Sequence, residues 1–123
     1  MASHHFIGTG PYSQRLACLA RDRDVLLEAV ADEVSGAGFE VVLQTSAAFS
    51  NGGLTLVWVL AESHLVLHYW GEEGFATIDL HICDYRESNA AKAEDLVTAL
   101  EELCFLPRTA VWERLVLKEP VPA

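Results

Sequence analysis

Apolar positions recur at helical spacing in two stretches of this chain and gather into short strand-like runs in six others. Val25, Leu26, Ala29, Val30 and Val34 share one helical face, with Asp22 or Asp24 placed to cap the helix and Gly36 and Gly38 to stop it. Leu96, Val97, Leu100, Leu103 and Cys104 share a second face, opposite acidic residues, in a helix that starts after Ser88 or Asn89 and ends at Pro107. Strands are predicted over His4–Thr9, Phe39–Thr45, Leu54–Ala61, His64–Trp70, Phe75–Ile82 and Thr109–Leu117. Asn51-Gly52-Gly53 and Gly71-Glu72-Glu73-Gly74 supply turns, because glycine reaches the positive φ values that tight turns require. The stretch from Gly10 to about Arg21 reads as irregular, and the tail Glu119–Ala123, with two prolines, as loose. The fold class that follows is α+β: an antiparallel β-sheet with two α-helices packed on one face.

The 123 residues predict one domain over 1–123, and so short a domain gains easily from pairing with another copy. Eight Lys and Arg against 18 Asp and Glu give a formal net charge of -10, which argues against nucleic acid and anionic membranes as partners. An acidic surface suits a cationic ligand, although solubility alone explains it more simply. Cys18, Cys83 and Cys104 are odd in number and far apart, so neither a disulfide scaffold nor a metal site is expected. No basic-then-apolar leader and no membrane-length apolar run stand out, so the expected setting is the reduced cytoplasm.

Candidate chemistry concentrates in Ala61-Glu62-Ser63-His64-Leu65-Val66-Leu67-His68-Tyr69-Trp70, where a hydroxyl, two imidazoles and a carboxylate interrupt apolar strand residues. On pattern alone, Ser63, His64 and His68 read more readily as the solvated side of a half-buried strand than as a site. Cys83 alone reads as a small buried hydrophobe, and Phe49 and Trp70 as core.

Taken together, these residues resemble the cleavage-site signature of the prokaryotic S-adenosylmethionine decarboxylases. The run Ala61-Glu62-Ser63-His64 is followed by His68, Trp70, Glu72 and Cys83 at that family's spacing, and Gly38, Phe49 and Gly53-Leu54-Thr55 also fall in step with it. Without a gap, the resemblance covers Gly38 to Cys83 and extends weakly toward both ends. It implies that Ser63 attacks the carbonyl carbon of Glu62, turning the amide into an ester. β-Elimination then splits a β chain, 1–62, from an α chain, 63–123, whose pyruvoyl group replaces Ser63. That self-derived cofactor forms a Schiff base with the substrate amine and draws electrons as carbon dioxide leaves, so no external cofactor or metal is implied. Residue by residue, the resemblance makes His68 the processing base, Thr55 a support for processing and Cys83 the acid that protonates the substrate carbon. Phe49 and Trp70 become the rings that stack on adenine, and Glu72 the acceptor of ribose hydroxyls. The implied substrate is S-adenosylmethionine, the implied product an aminopropyl donor for spermidine synthesis, and the implied assembly a homo-oligomer with its site at a dimer interface.

Several positions depart from the pattern. Thr55 replaces a serine, Gly71 a proline, and His81-Ile82-Cys83-Asp84 a Phe-Thr-Cys-Gly run, while His5 falls near an Arg-His step and has no assigned role. His64 and Asp79 read as structural. These departures leave two alternatives open: a pyruvoyl enzyme acting on another amino acid such as ornithine or arginine, or a non-cleaving relative with an interaction role. Ser63 and His68 are five apart, so an unbroken strand would turn them to opposite faces. Either the chain kinks at the scissile bond, or His68 meets a Ser63 from elsewhere.

Overall fold

The computed structural model describes residues 1–118; the proline-containing tail read from the sequence as loose lies outside the described residues. In chain order the elements are β1 (Ala2–Pro11), α1 (Gln14–Leu19), α2 (Arg23–Gly36), β2 (Val41–Ala48), β3 (Leu54–Leu60), β4 (Ser63–Trp70), β5 (Phe75–Cys83), α3 (Ala90–Cys104) and β6 (Val111–Lys118). The six strands form one sheet in the order β2-β3-β4-β5-β1-β6, and every neighbouring pair is antiparallel. The predicted α+β class holds.

Alternation along each strand decides which residues meet the helices. Leu54, Leu56, Trp58 and Leu60 of β3, Leu65 and Leu67 of β4, and Ala76, Ile78, Leu80 and Ile82 of β5 are all buried. They join Leu26, Leu27, Val30 and Val34 of α2 and Leu96, Val97, Leu100 and Leu103 of α3 in one apolar cluster. Trp58 is fully buried, and its indole N–H donates to the Leu27 carbonyl at 3.1 Å, which ties the sheet to α2. Residues at the alternate positions look away from the helices. There Ile7, Val59, Leu115 and Leu117 remain exposed, so one face of the sheet carries an uncovered apolar surface. None of the helices is long and apolar enough to cross a membrane.

The structure adds a third helix to the two that were predicted. The stretch expected to be irregular contains α1, which is only six residues long and buries Leu16. Periodicity cannot reveal so short a helix; its cap can. Ser13 accepts from the Leu16 N–H at 3.0 Å and donates to the Leu103 carbonyl at 2.7 Å, docking α1 on the end of α3. The first strand also runs longer than predicted, Ala2–Pro11 instead of His4–Thr9, because β5 and β6 pair with it on both sides. The other borders move by a few residues: β2 ends at Ala48, β4 begins at Ser63 and β5 includes Cys83. Gly52 and Gly74 take φ values of 82° and 87° in the two predicted turns.

Trp58→Ala should cost about 3–5 kcal/mol through cavity formation and loss of the Leu27 contact. Urea unfolding of this variant against its parent, both carrying Ser63→Ala so that the chains stay intact, measures the difference.

Candidate active site

β3 and β4 are joined by the two residues Ala61 and Glu62, and the pairing runs in register from Leu60 with Ser63 to Leu54 with Tyr69. Glu62 has φ 64°, in the left-handed region that glycine enters freely and a glutamate does not. Such a residue holds about 1–3 kcal/mol of backbone strain, here at the position directly before Ser63. The bend falls at Glu62, and Ser63 itself begins β4, so the alternative in which the strand starts only after Ser63 does not hold.

Ser63 stands beside the end of β5. The Cys83 backbone N–H donates to Ser63 Oγ at 3.0 Å, fixing the hydroxyl without using the Cys83 side chain. Cys83 Sγ lies 3.5 Å from His81 Nε2 on the face away from the helices. The strand end is then clamped by Asn89, whose side-chain N–H donates to the Cys83 carbonyl at 2.8 Å, and by Asp84, which accepts from the Asn89 N–H at 2.8 Å. Asp84 also lies 3.0 Å from His4 Nε2. Burial acts to raise the Asp84 pKa, but the Asn89 N–H and His4 outweigh it and hold the carboxyl below its ordinary value. Glu62, Cys83 and Asn89 line a cavity of about 220 Å³ that also takes in Phe39, Tyr85 and Lys92.

A second cluster occupies the opposite end of β3 and β4. Thr55 and His68 face each other across the pair, and Thr55 Oγ1 is 3.0 Å from His68 Nδ1. These two line a cavity of about 490 Å³ together with Phe49, Asn51, Tyr69 and Trp70. Trp70 stacks on Phe75 at 5.7 Å and leans toward His68 at 6.1 Å. Burial, and then the adjoining Tyr12 hydroxyl, push the Tyr69 phenol up to about 12. Glu72 is exposed in the turn after Trp70 and is not among the residues lining the cavity.

The structure thus gathers Glu62, Ser63 and Cys83 at one end and Phe49, Thr55, His68 and Trp70 at the other. It does not bring His68 to Ser63 within one chain: five residues of strand separate them by roughly 16 Å, and they lie on opposite faces. Asn89 and Tyr69 also belong to these clusters, although the sequence offered only a helix start for one and a strand position for the other. Among the described residues, no three His, Cys, Asp or Glu side chains are arranged to hold a metal ion.

Comparison with known proteins bears on the same residues. A family model described as S-adenosylmethionine decarboxylase matches residues 15–103. The chain belongs to this family. Among curated relatives, an S-adenosylmethionine decarboxylase proenzyme from Pyrobaculum arsenaticum is 38% identical over 90 residues, covering 69% of this chain and 72% of the relative. A proenzyme of the same name from Symbiobacterium thermophilum is 41% identical over 78 residues, covering 63% of this chain and 56% of the relative. The crystal structure of the adenosylmethionine decarboxylase from Aquifex aeolicus matches with a TM-score of 0.71 at 19% identity, over 100% of this chain and 93% of that one. At that identity the likeness concerns the fold. The matched span of the decarboxylase family model holds both clusters and leaves out β6 and the whole of β1, which lies beside Cys83 in the sheet.

Because the fold depresses the Asp84 pKa, Asp84 contributes stability above its unfolded-state value, and this is lost as pH falls through the lower folded value. Asp84→Ala should therefore cost about 1–3 kcal/mol at pH 7. Urea titrations at successively lower pH should show the gap to wild type closing through the carboxylate range.

Proposed function

We propose that this chain is the proenzyme of a pyruvoyl-dependent S-adenosylmethionine decarboxylase, cleaved by its own residues between Glu62 and Ser63. The observation that carries the reading is the strained Glu62 backbone directly before a serine whose Oγ is held by the Cys83 N–H. Ser63 Oγ forms an ester with the Glu62 carbonyl carbon as the amide C–N bond breaks. Loss of the Ser63 α-proton then expels the Glu62 carboxylate, and water replaces the nitrogen, released as ammonia, to leave the ketone of the pyruvoyl group. Both Ala61 and Glu62 are exposed, so the new termini have room to part, and the adjoining cavity gives the group a bed. The residues present therefore fit it.

When formed, the pyruvoyl group supplies an electron-withdrawing carbonyl that holds the substrate amine and accepts electrons as carbon dioxide departs. The chain's own residues do the rest. Cys83 Sγ delivers a proton to the carbon that loses carbon dioxide, a role open to a thiol because it titrates near neutrality. Thr55 holds the His68 ring through Nδ1 and leaves Nε2 for proton transfer during processing. Phe49 and Trp70, which line the 490 Å³ cavity, offer ring faces to the adenine, and Glu72, in the turn after Trp70, takes the ribose hydroxyls. A reduced, cytoplasmic setting keeps the Cys83 thiol from oxidation and so available for this role.

A homodimer follows from the same reading. His68 and Ser63 lie too far apart in one chain to act together, and the helix-free face exposes Ile7, Leu115 and Leu117. Covering that face with a second copy buries the apolar surface and lets residues of two chains share one site.

A second reading, decarboxylation of an amino acid without an adenosyl group, such as ornithine or arginine, draws on two observations. Glu72 lies outside the cavity lining, and Trp70 is already stacked on Phe75. Carbon dioxide release from each pure substrate separates the two readings.

Denaturing mass spectrometry should show two fragments split between Glu62 and Ser63, the second opening with a pyruvoyl group, and one intact chain for Ser63→Ala. A wild type that stays intact would turn the reading toward a non-cleaving relative. Cys83→Ala keeps the backbone N–H that holds Ser63, so cleavage should persist while kcat falls by about 10²-fold or more. Sedimentation should give a dimer, and Leu115→Glu, which puts a charge on the uncovered face, should give a monomer.

A further inference from the structure

Three imidazoles stand in one row across the helix-free face. His5 of β1 and His64 of β4 are the register partners of His81 on its two sides. His5 stacks on His81 at 4.3 Å with 17° between the rings, and His64 meets it edge-on at 4.9 Å. The stack and the edge contact restrict the His81 ring to an orientation with Nε2 turned to Cys83 Sγ, 3.5 Å away. His5 is itself held: its Nε2 lies 3.2 Å from Ser3 Oγ, and Ser3, almost wholly buried, is the register partner of Cys83.

We propose that His81 is a positioning residue for the Cys83 thiol, sharing one proton with it and restoring that proton after each turnover. The proposal rests on the reading of Cys83 as the acid of a decarboxylase. The balance is simple: the substrate carbon loses carbon dioxide and gains a proton from Cys83, His81 Nε2–H returns a proton to the thiolate, and solvent reprotonates His81. An imidazolium beside a thiol also favours the thiolate, so the pair titrates at lower pH than an isolated cysteine. Among the described residues, the ionisable groups near the pair include His5 on β1, His64 on β4, Asp79 on β5 itself and Asp84 beyond the strand end, where His4 engages it. Glu62 lines the cavity beside Cys83.

The test follows the Cβ signals of ¹³C-labelled cysteine by NMR across pH, in a Ser63→Ala background, so that it depends on neither cleavage nor turnover. His81→Phe keeps an aromatic ring for the His5 stack and removes Nε2; His81→Gln keeps hydrogen-bonding capacity but cannot titrate. In both variants the Cys83 midpoint should rise by about one pH unit or more, leaving roughly tenfold less thiolate at neutral pH. Cys18 should be unmoved. Cys104, buried and pushed up to about 12, should stay protonated across the range and so reports an intact fold. An unchanged Cys83 midpoint in folded His81→Gln overturns the proposal, whatever the protein decarboxylates. In the cleavable protein, both substitutions should lower kcat more than they raise KM and displace the pH profile of kcat with the Cys83 midpoint. A shifted midpoint with unaltered kcat would overturn the return of the proton by His81. The role of Cys83 is tested separately, by Cys83→Ala.

Discussion

Two residues, Ala61 and Glu62, join β3 to β4, and so short a link leaves no slack: Leu60 must face Ser63, and the pairing follows in step to Leu54 and Tyr69. A slip of one residue would exchange the two faces of β4, burying His64, Val66 and His68 and exposing Leu65 and Leu67. The core forbids it. Because this register holds, Thr55 meets His68, and because β4 pairs with β5 in the same frame, His64 meets His81 and Ser63 reaches the Cys83 N–H. Strain at Glu62 persists because both flanking strands are anchored, Leu60 and Leu65 being buried just beyond the turn.

The second consequence is one-sidedness. All the helices draw on one set of alternate strand residues, so among the described residues the other set has no covering element. On that face, exposed aliphatic residues surround a polar row of Ser3, His5, His64, His81 and Cys83. The arrangement explains why chemistry-bearing side chains can sit in the middle of a sheet without disturbing the core: they occupy the face that the core does not use. It also gives a physical reason for a protein this small to associate, since Ile7, Leu115 and Leu117 gain burial only from another surface.

Cysteine shows how far environment separates residues of one type. Cys104 ends α3 inside the core, where burial pushes its thiol up to about 12 and makes it another apolar side chain. Cys83 ends β5 half exposed, with an imidazole nitrogen 3.5 Å away. The family resemblance singled out Cys83 in the sequence, but nothing in it linked Cys83 to His81, a contact that follows from both side chains projecting from one face of a strand. The resemblance-based assignments for Phe49, Thr55, His68 and Trp70 find these residues around one cavity. Those for Glu62 and Cys83 find them around another, with Ser63 held by the Cys83 N–H, and no linear reading could tell that the two groups lie at opposite strand ends.

The sequence by itself determined the elements: strand-like apolar runs and glycine turns for six strands with only their borders in error, and helical spacing with Asp22 and Pro107 as limits for α2 and α3. These are local properties, set by side-chain volume and backbone preference over a few residues. The resemblance to a family signature, legible in the same sequence, also marked Glu62, Ser63, His68 and Cys83. Tertiary structure decided the rest: the full length of β1, the capped helix α1, the strand order that puts β1 between β5 and β6, the histidine row and the separation of Ser63 from His68. Each depends on contacts between residues far apart in the chain, 80 positions for His4 and Asp84 and 116 for the register partners Ala2 and Lys118. Packing across the sheet selects such contacts, and no local propensity encodes them.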